Sequence, residues 1–259
     1  MTSSSEPPAG RALVVGGGTG LGLGAAQALA RRGFSTFLTG RRADVLQRAA
    51  AGIGAGFLAG DASEAATAQR VTDAAVAAMG GLDTLVVSAG VSAIGSIATA
   101  SEADFLRVLH VNLLPTFHFT QAALPHMASG GAIIAIASVV ASVPHAERVA
   151  YCTSKSALVG MVRQMALDLA PRKIRVNAVS PSLVMTELTE GIMAREADPA
   201  AALSARTRQH PIGRLGTTDE VGEAVAWLAA PEGGWVTGQD IVLDGGLSLM
   251  AARRDIKEG

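Results

Sequence analysis

Short apolar runs alternate along the chain with longer stretches whose apolar positions recur at helical spacing. Residues 11–15, 35–39, 56–59, 84–88, 132–137, 174–179 and 240–243 read as strands. Residues 21–32, 42–51, 63–79, 101–127, 149–169 and 217–230 read as alanine-rich helices. Ser63 stands where a helix N-cap belongs, and Pro115 argues for two helical pieces in 101–127 rather than one rod. The alternation predicts an α/β fold, a Rossmann-like doubly wound parallel sheet of seven strands with helices on both faces and right-handed crossovers. Residues 10–250 read as one domain, between an N-terminal tail (1–9) and a C-terminal tail (251–259). Residues 182–216 interrupt the alternation without a clear period; a connection of that length suits a functional lid. Met185, Leu188, Ile192 and Met193 would give that lid an apolar inner face.

Composition narrows the picture. Hydrophobic residues at 49% and charged residues at 17% supply a large core. Aromatics at 3% make that core one of Ala, Leu, Val and Ile, which suits helices on a buried parallel sheet. A net charge of -1 offers no basic face for nucleic acid. No apolar run reaches membrane-span length, and the start lacks a basic-then-apolar signal. Cys152 is the only cysteine, which rules out an intrachain disulfide and fits a reducing compartment, the cytoplasm.

The first strand runs into Gly16-Gly17-Gly18-Thr19-Gly20-Leu21-Gly22 and then a helix. Glycines there let backbone approach a pyrophosphate, which the free N–H groups of the helix start would hold. A ligand-free glycine turn would look the same in isolation; the place, first strand into first helix, favours the nucleotide. After the second strand the chain reads Thr39-Gly40-Arg41-Arg42, with glycine where a ribose-binding carboxylate would stand. Two guanidinium groups suit a 2′-phosphate, so NADP(H) is expected in preference to NAD(H). The alternative is a pair of solvated arginines, though a cation gains nothing at a helix start. Asp61 and Ala62, after the third strand, could meet the adenine; Asp61 alone would be read as an N-cap.

Tyr151, the only tyrosine, lies four residues before Lys155, on one face of a helix. A nearby ammonium favours phenolate and would bring the phenol toward working pH as an acid/base, and the same lysine could hold a ribose. Ser138 follows the fifth strand, where open α/β sheets place ligands, and its hydroxyl could bond a substrate carbonyl. With Asn112, Ala89-Gly90, Asn177-Ala178-Val179-Ser180-Pro181, Val184-x-Thr186, Gly238-Gln239-Asp240 and Asp244-Gly245-Gly246, these residues resemble the short-chain dehydrogenase/reductase family over about 10–249.

The resemblance implies an oxidoreductase moving hydride between a nicotinamide and a carbonyl or secondary alcohol. Tyr151 would be the acid/base, Lys155 would tune it, and Ser138 would orient the carbonyl. Asn112 would hold a relay water at a local helix break. Gly16, Gly18, Thr19, Gly20, Leu21, Gly22, Arg41, Arg42, Asp61, Ala62, Ser88, Ala89, Gly90, Pro181, Val184 and Thr186 would line the cofactor with Tyr151 and Lys155. A homotetramer is also implied. Three positions depart from the family's habit: Val15 for Thr, Ser88 for Asn and Ser182 for Gly. A 3-oxoacyl-carrier-protein reductase is the alternative within the family, and a non-catalytic NADP(H) redox sensor the alternative outside it.

Other features read more plainly. His110, His118 and His126 recur every eight residues, a step of about 80° and about 12 Å on a helix, so no metal site is expected. His145 would line the pocket or sit on a surface loop. Cys152 reads as a packing residue. Arg195, Arg206, Arg208 and Arg214 read as solvated charges or as contacts for a charged substrate.

Overall fold

The computed structural model describes residues 9–194 and 196–250, without the side chains of Leu188 and Ile192. Seven parallel strands form one sheet in the order β3-β2-β1-β4-β5-β6-β9. They are β1 (Gly10–Val15), β2 (Phe34–Gly40), β3 (Gly56–Ala59), β4 (Leu82–Val87), β5 (Met127–Ile136), β6 (Arg175–Pro181) and β9 (Asp240–Leu243). The connecting helices are α1 (Gly20–Arg31), α2 (Ala43–Ile53), α3 (Ala65–Met79), α4 (Glu102–Ala123), α5 (Val149–Leu169) and α8 (Thr218–Ala229).

Alternation along each strand divides the core in two. Leu13, Val15, Leu85, Val87, Ile133, Ala135, Val176 and Ala178 pack with α3, α4 and α5. Ala12, Val14, Leu38, Val86, Ile134, Ile136 and Val179 pack with α1, α2 and α8 on the other face. Both faces are buried at the centre of the sheet, so β1, β4 and β5 carry continuous apolar runs there.

Two expectations fail here, and a third segment gains detail. α4 is one continuous helix through Pro115, closed by a short 3-10 turn at Leu124–His126. The proline removes a single donor, the one the carbonyl of Val111 would use. Burial of Val108, Asn112, Pro115 and Phe119 on one side holds the rod together. Ser63 is not the cap of α3: Glu64 holds that position, and Ser63 spends both its N–H and its hydroxyl on Asp61 Oδ1, at 2.9 and 2.7 Å. Residues 182–216 are ordered into β7 (Val184–Met185), α6 (Glu187–Met193), α7 (Pro199–Arg208) and β8 (Gly216–Thr217), the two short strands pairing in parallel. A four-residue α9 (Leu247–Met250) follows β9. Met193 is buried as the apolar lid face requires and Met185 is half-buried. Leu188 and Ile192, in their side chains, and Arg195 and the tails 1–8 and 251–259 lie outside the described residues.

Candidate active site

Each strand of the sheet from β3 to β6 ends at a residue expected to bind or react. Together these ends line one cleft of about 740 Å³ at the carboxyl edge of the sheet, with Ser138 next to the lining residue Ala137 and Pro181 next to the lining residue Ser182. A second hollow of about 740 Å³ lies at the opposite edge. Of its ionic groups, Asp83 is engaged with Arg11 and Arg175 with the carbonyls of Leu228, Gly233, Ala229 and Ala230, while Lys173 is exposed.

The cleft begins at the glycine turn. Gly16 takes φ +80 and Gly22 lies beneath it; a Cβ on Gly22 would stand 2.1 Å from the Gly16 carbonyl oxygen. Gly16, Gly18, Thr19, Gly20 and Leu21 face the cleft. Thr19, the N-cap of α1, makes no side-chain capping bond. The first N–H groups of α1 therefore lack a side-chain cap, whereas Ser101 caps α4, Asp198 caps α7 and Thr217 with Glu220 forms a full capping box on α8.

Gly40, Arg41 and Arg42 form the next stretch of wall. Both arginines are exposed and, among the described residues, neither has a hydrogen-bonded or ion-paired partner. Arg41 still helps hold the Asp61 carboxyl below its usual range, after the larger effect of the bonds from Ser63. Asp61, Ala62, Ser88, Ala89 and Gly90 continue the lining. A Cβ on Gly90 would meet Asn112 Oδ1 at 3.2 Å and Lys155 Nζ at 3.6 Å, so glycine keeps this wall thin. Val184 and Thr186 close the cleft from the lid, and a Cβ on Gly20 would lie 3.7 Å from the Thr186 methyl. Pro181 is buried at the end of β6, behind Ser182.

The candidate acid/base lies on α5. Lys155 is buried and donates from Nζ to the carbonyl of Ile136 at 2.8 Å, while Nζ stands 5.9 Å from the centre of the Tyr151 ring. Burial pushes the Lys155 ammonium down to about 8. Burial also pushes the Tyr151 phenol up; Ser138 and, more weakly, Arg148 pull it back, while Cys152 adds to the rise. The phenol lowering expected from the lysine is therefore not found in the cofactor-free protein. Nζ is turned to the Ile136 carbonyl, and desolvation of the phenol is the largest effect on it. Ser138 sits close enough to act on the phenol, although no hydrogen bond of ordinary length joins the two; its hydroxyl accepts from Val140 N–H at 3.4 Å.

Asn112 corrects a further expectation, since α4 has no break around it. Its Oδ1 accepts from Val91 N–H at 2.7 Å, and its Nδ2 donates to the Val91 carbonyl at 3.0 Å and to Ser154 Oγ at 2.8 Å. Ser154 in turn donates to the Tyr151 carbonyl at 2.8 Å. The amide thus ties the loop after β4 to α5, and neither Nδ2 hydrogen is left for a water. Val111 and Pro115 line the cleft beside it, along with Ser92, Leu183, Glu187 and Thr189, none of which the sequence singled out as site residues. For Val111 the signal was a proline four residues on, which frees its carbonyl. For Thr189 it was Thr186 three residues before, whose Oγ1 accepts from the Thr189 N–H at 3.1 Å.

His145 is exposed on its loop and Cys152 is half-buried. Arg206 pairs with Glu196 and Arg214 with Glu220. Among the described residues no group of His, Cys, Asp and Glu could hold a metal, and no helix is long and apolar enough to cross a membrane.

Comparison with known proteins agrees with this geometry. A family model described as enoyl-(acyl carrier protein) reductase matches residues 16–248. An uncharacterized oxidoreductase of Methylorubrum extorquens is 38% identical over 242 residues, covering 91% of this chain and 96% of the relative. A D-threitol dehydrogenase of Mycolicibacterium smegmatis is 36% identical over 246 residues, 92% of each chain. The crystal structure of a short-chain dehydrogenase/reductase from Brucella melitensis, described as a glucose/ribitol dehydrogenase, superposes with a TM-score of 0.86 at 30% identity over 93% of this chain and 97% of the other. The chain belongs to the short-chain dehydrogenase/reductase family. It is an oxidoreductase of CH–OH and C=O groups that uses a nicotinamide cofactor and acts on small molecules.

Proposed function

We propose that the protein is an NADP(H)-dependent ketoreductase or alcohol dehydrogenase in which Tyr151 is the general acid/base. The observation that carries this reading is the shared cleft: uncapped helix start, unpaired arginines, Tyr151 and Lys155 line one wall system. The cofactor fits these residues, because the glycine turn and Gly90 leave backbone bare where a side chain would block approach. Gly16, Gly18, Thr19, Gly20 and Leu21 would hold the pyrophosphate, with Gly22 supporting the turn. Arg41 and Arg42 would pair with a 2′-phosphate. Asp61, Ala62, Ser88, Ala89 and Gly90 would border the adenine and ribose, and Pro181, Val184 and Thr186 the nicotinamide. A bound nicotinamide supplies or accepts the hydride. Tyr151 gives its phenolic proton to the carbonyl oxygen, or takes it from the alcohol, while Ser138 orients that oxygen. Lys155 holds the ribose and, once drawn from Ile136, favours the phenolate. Asn112 positions Val91 and α5.

Exposed Leu106, Phe117 and Leu167 on α4 and α5, with Trp227 and Val242 on α8 and β9, support burial of these faces in a homotetramer. The single Cys152 supports a cytoplasmic setting. A 3-oxoacyl-carrier-protein substrate is the second reading, favoured by the carrier-protein reductase description of the matching family model.

The test is NADPH oxidation against a panel of ketones, diketones and 3-oxoacyl thioesters. Turnover is expected with the unaltered protein and none with Tyr151→Phe, which should still bind NADPH. Tight NADPH binding with no carbonyl reduced would make the protein a redox sensor instead.

A further inference from the structure

The two roots of the lid meet at a side-chain pair, half-buried Ser182 and buried His210, that the proposed chemistry leaves unused. Ser182 Oγ lies 2.9 Å from His210 Nε2, and His210 Nδ1 lies 2.8 Å from the Arg206 carbonyl oxygen. A carbonyl only accepts, so Nδ1 carries the ring hydrogen and Nε2 accepts from the Ser182 hydroxyl. His210 is 3% exposed, so its ring is shielded from water, while Ser182 is half-buried at the cleft wall.

Each root is also fastened to the strand that ends the sheet. Ser182 N–H donates to the Leu243 carbonyl at 2.9 Å, and Ile212 N–H donates to the Gly245 carbonyl at 3.1 Å. Gly245 has φ +58, and a Cβ there would stand 2.8 Å from the Ile212 side chain, so the return strand of the lid is pressed against this turn. Beyond the roots, among the described residues, the two arms of the lid are joined by the two-residue pairing of β7 with β8 and by the Gly216 N–H on the Leu183 carbonyl at 3.2 Å, and Arg206 with Glu196 ties its tip. A ladder that short acts as a hinge; a second tie is needed to fix its tilt.

We propose that Ser182 and His210 are positioning residues whose hydrogen bond staples the lid roots, and so sets how Val184 and Thr186 lie over Gly20. The proposal rests on the reading of the cleft as the cofactor site. The staple holds the excursion from 183 to 209 at one inclination. The bound cofactor then meets a preformed wall and does not have to order one.

Two measurements test it: the NADPH dissociation constant by fluorescence, and amide hydrogen exchange of residues 184–209 in the cofactor-free protein. Ser182→Ala and His210→Phe should each weaken NADPH about three- to tenfold, the worth of one net hydrogen bond. Each should also speed exchange in the lid by a similar factor. The KM for NADPH should rise while kcat stays within about twofold, and the double variant should be no worse than either single one. His210→Gln, whose amide oxygen can accept near the place of Nε2, should recover most of the affinity. Ser182→Ala with unaltered NADPH binding and unaltered lid exchange overturns the staple. If His210→Phe does not fold, Ser182→Ala and His210→Gln decide the matter. If the unaltered protein fails to bind NADPH, the functional reading falls, and the exchange comparison still judges the staple by itself.

Discussion

Replacing Lys155 with methionine should stabilise the fold while removing activity. The Lys155 ammonium is buried with one partner, the Ile136 carbonyl at 2.8 Å, and burial takes its pKa from 10.5 to about 8. Below pH 8 the lysine is charged in both folded and unfolded chains, and the folded state bears the whole desolvation. Between about 8 and 10.5 the unfolded chain holds one more proton, so stability rises with pH. Above that window the group is neutral in both states and the penalty is gone. At about 1.4 kcal/mol per pH unit, the penalty at pH 7 is about 3 kcal/mol. Methionine fills the same space without charge, but gives up the bond to Ile136, a loss of about 1–2 kcal/mol. The net gain is about 1–2 kcal/mol, which for a chain of this size raises Tm by roughly 2–8 °C. Thermal melts of both proteins from pH 6.5 to 10.5 read this directly. The methionine variant should lead at neutral pH and lose its lead by the alkaline end. A methionine variant that is less stable at pH 7, or a lead that does not change with pH, would refute the reasoning.

Other outcomes follow from the same geometry. The double substitution Arg41→Ala with Arg42→Ala should weaken NADPH by about tenfold or more, the worth of one charge-assisted bond, and NADH by much less; equal losses in titration would remove the 2′-phosphate assignment. Since Tyr151 is the only tyrosine, ultraviolet titration reports it without background. In the cofactor-free protein its midpoint should lie above 10, and Ser138→Ala should move it higher, because Ser138 is the group that pulls it down. A midpoint at or below 10, or one indifferent to Ser138, contradicts the burial argument.

The strands were legible because a sheet buried on both faces writes itself as apolar runs, as in Leu13-Val14-Val15 and Ile133-Ile134. The candidate site was legible where short local motifs line the cleft: the glycine turn, the arginine pair, and Tyr151 with Lys155. What stayed hidden depends on contacts between distant parts of the chain. Asn112 finds its partners 21 and 42 residues away, and Ser182 finds His210 after 28. The proline at 115 misled because its local cost is offset by burial of the helix around it, which no local pattern records. The Tyr151 phenol misled in the same way. Helical spacing shows that a lysine is near, but not that its Nζ is turned to a strand carbonyl or that burial of the phenol is the largest effect. The helix α7 was missed because a short element with no buried residue leaves little periodicity to find.

The uncapped start of α1 also bears on how much of this protein survives in a cell. A ligand that completes that helix end binds the folded chain and not the unfolded one, so it shifts the folding equilibrium by mass action: at a hundred times its dissociation constant, about 2.7 kcal/mol. Chains that open are the ones proteases remove. Supply of nicotinamide nucleotide would then set the enzyme's lifetime as well as its rate. Depletion would thin the population of molecules, and a return of the nucleotide would restore it only as fast as new chains are made.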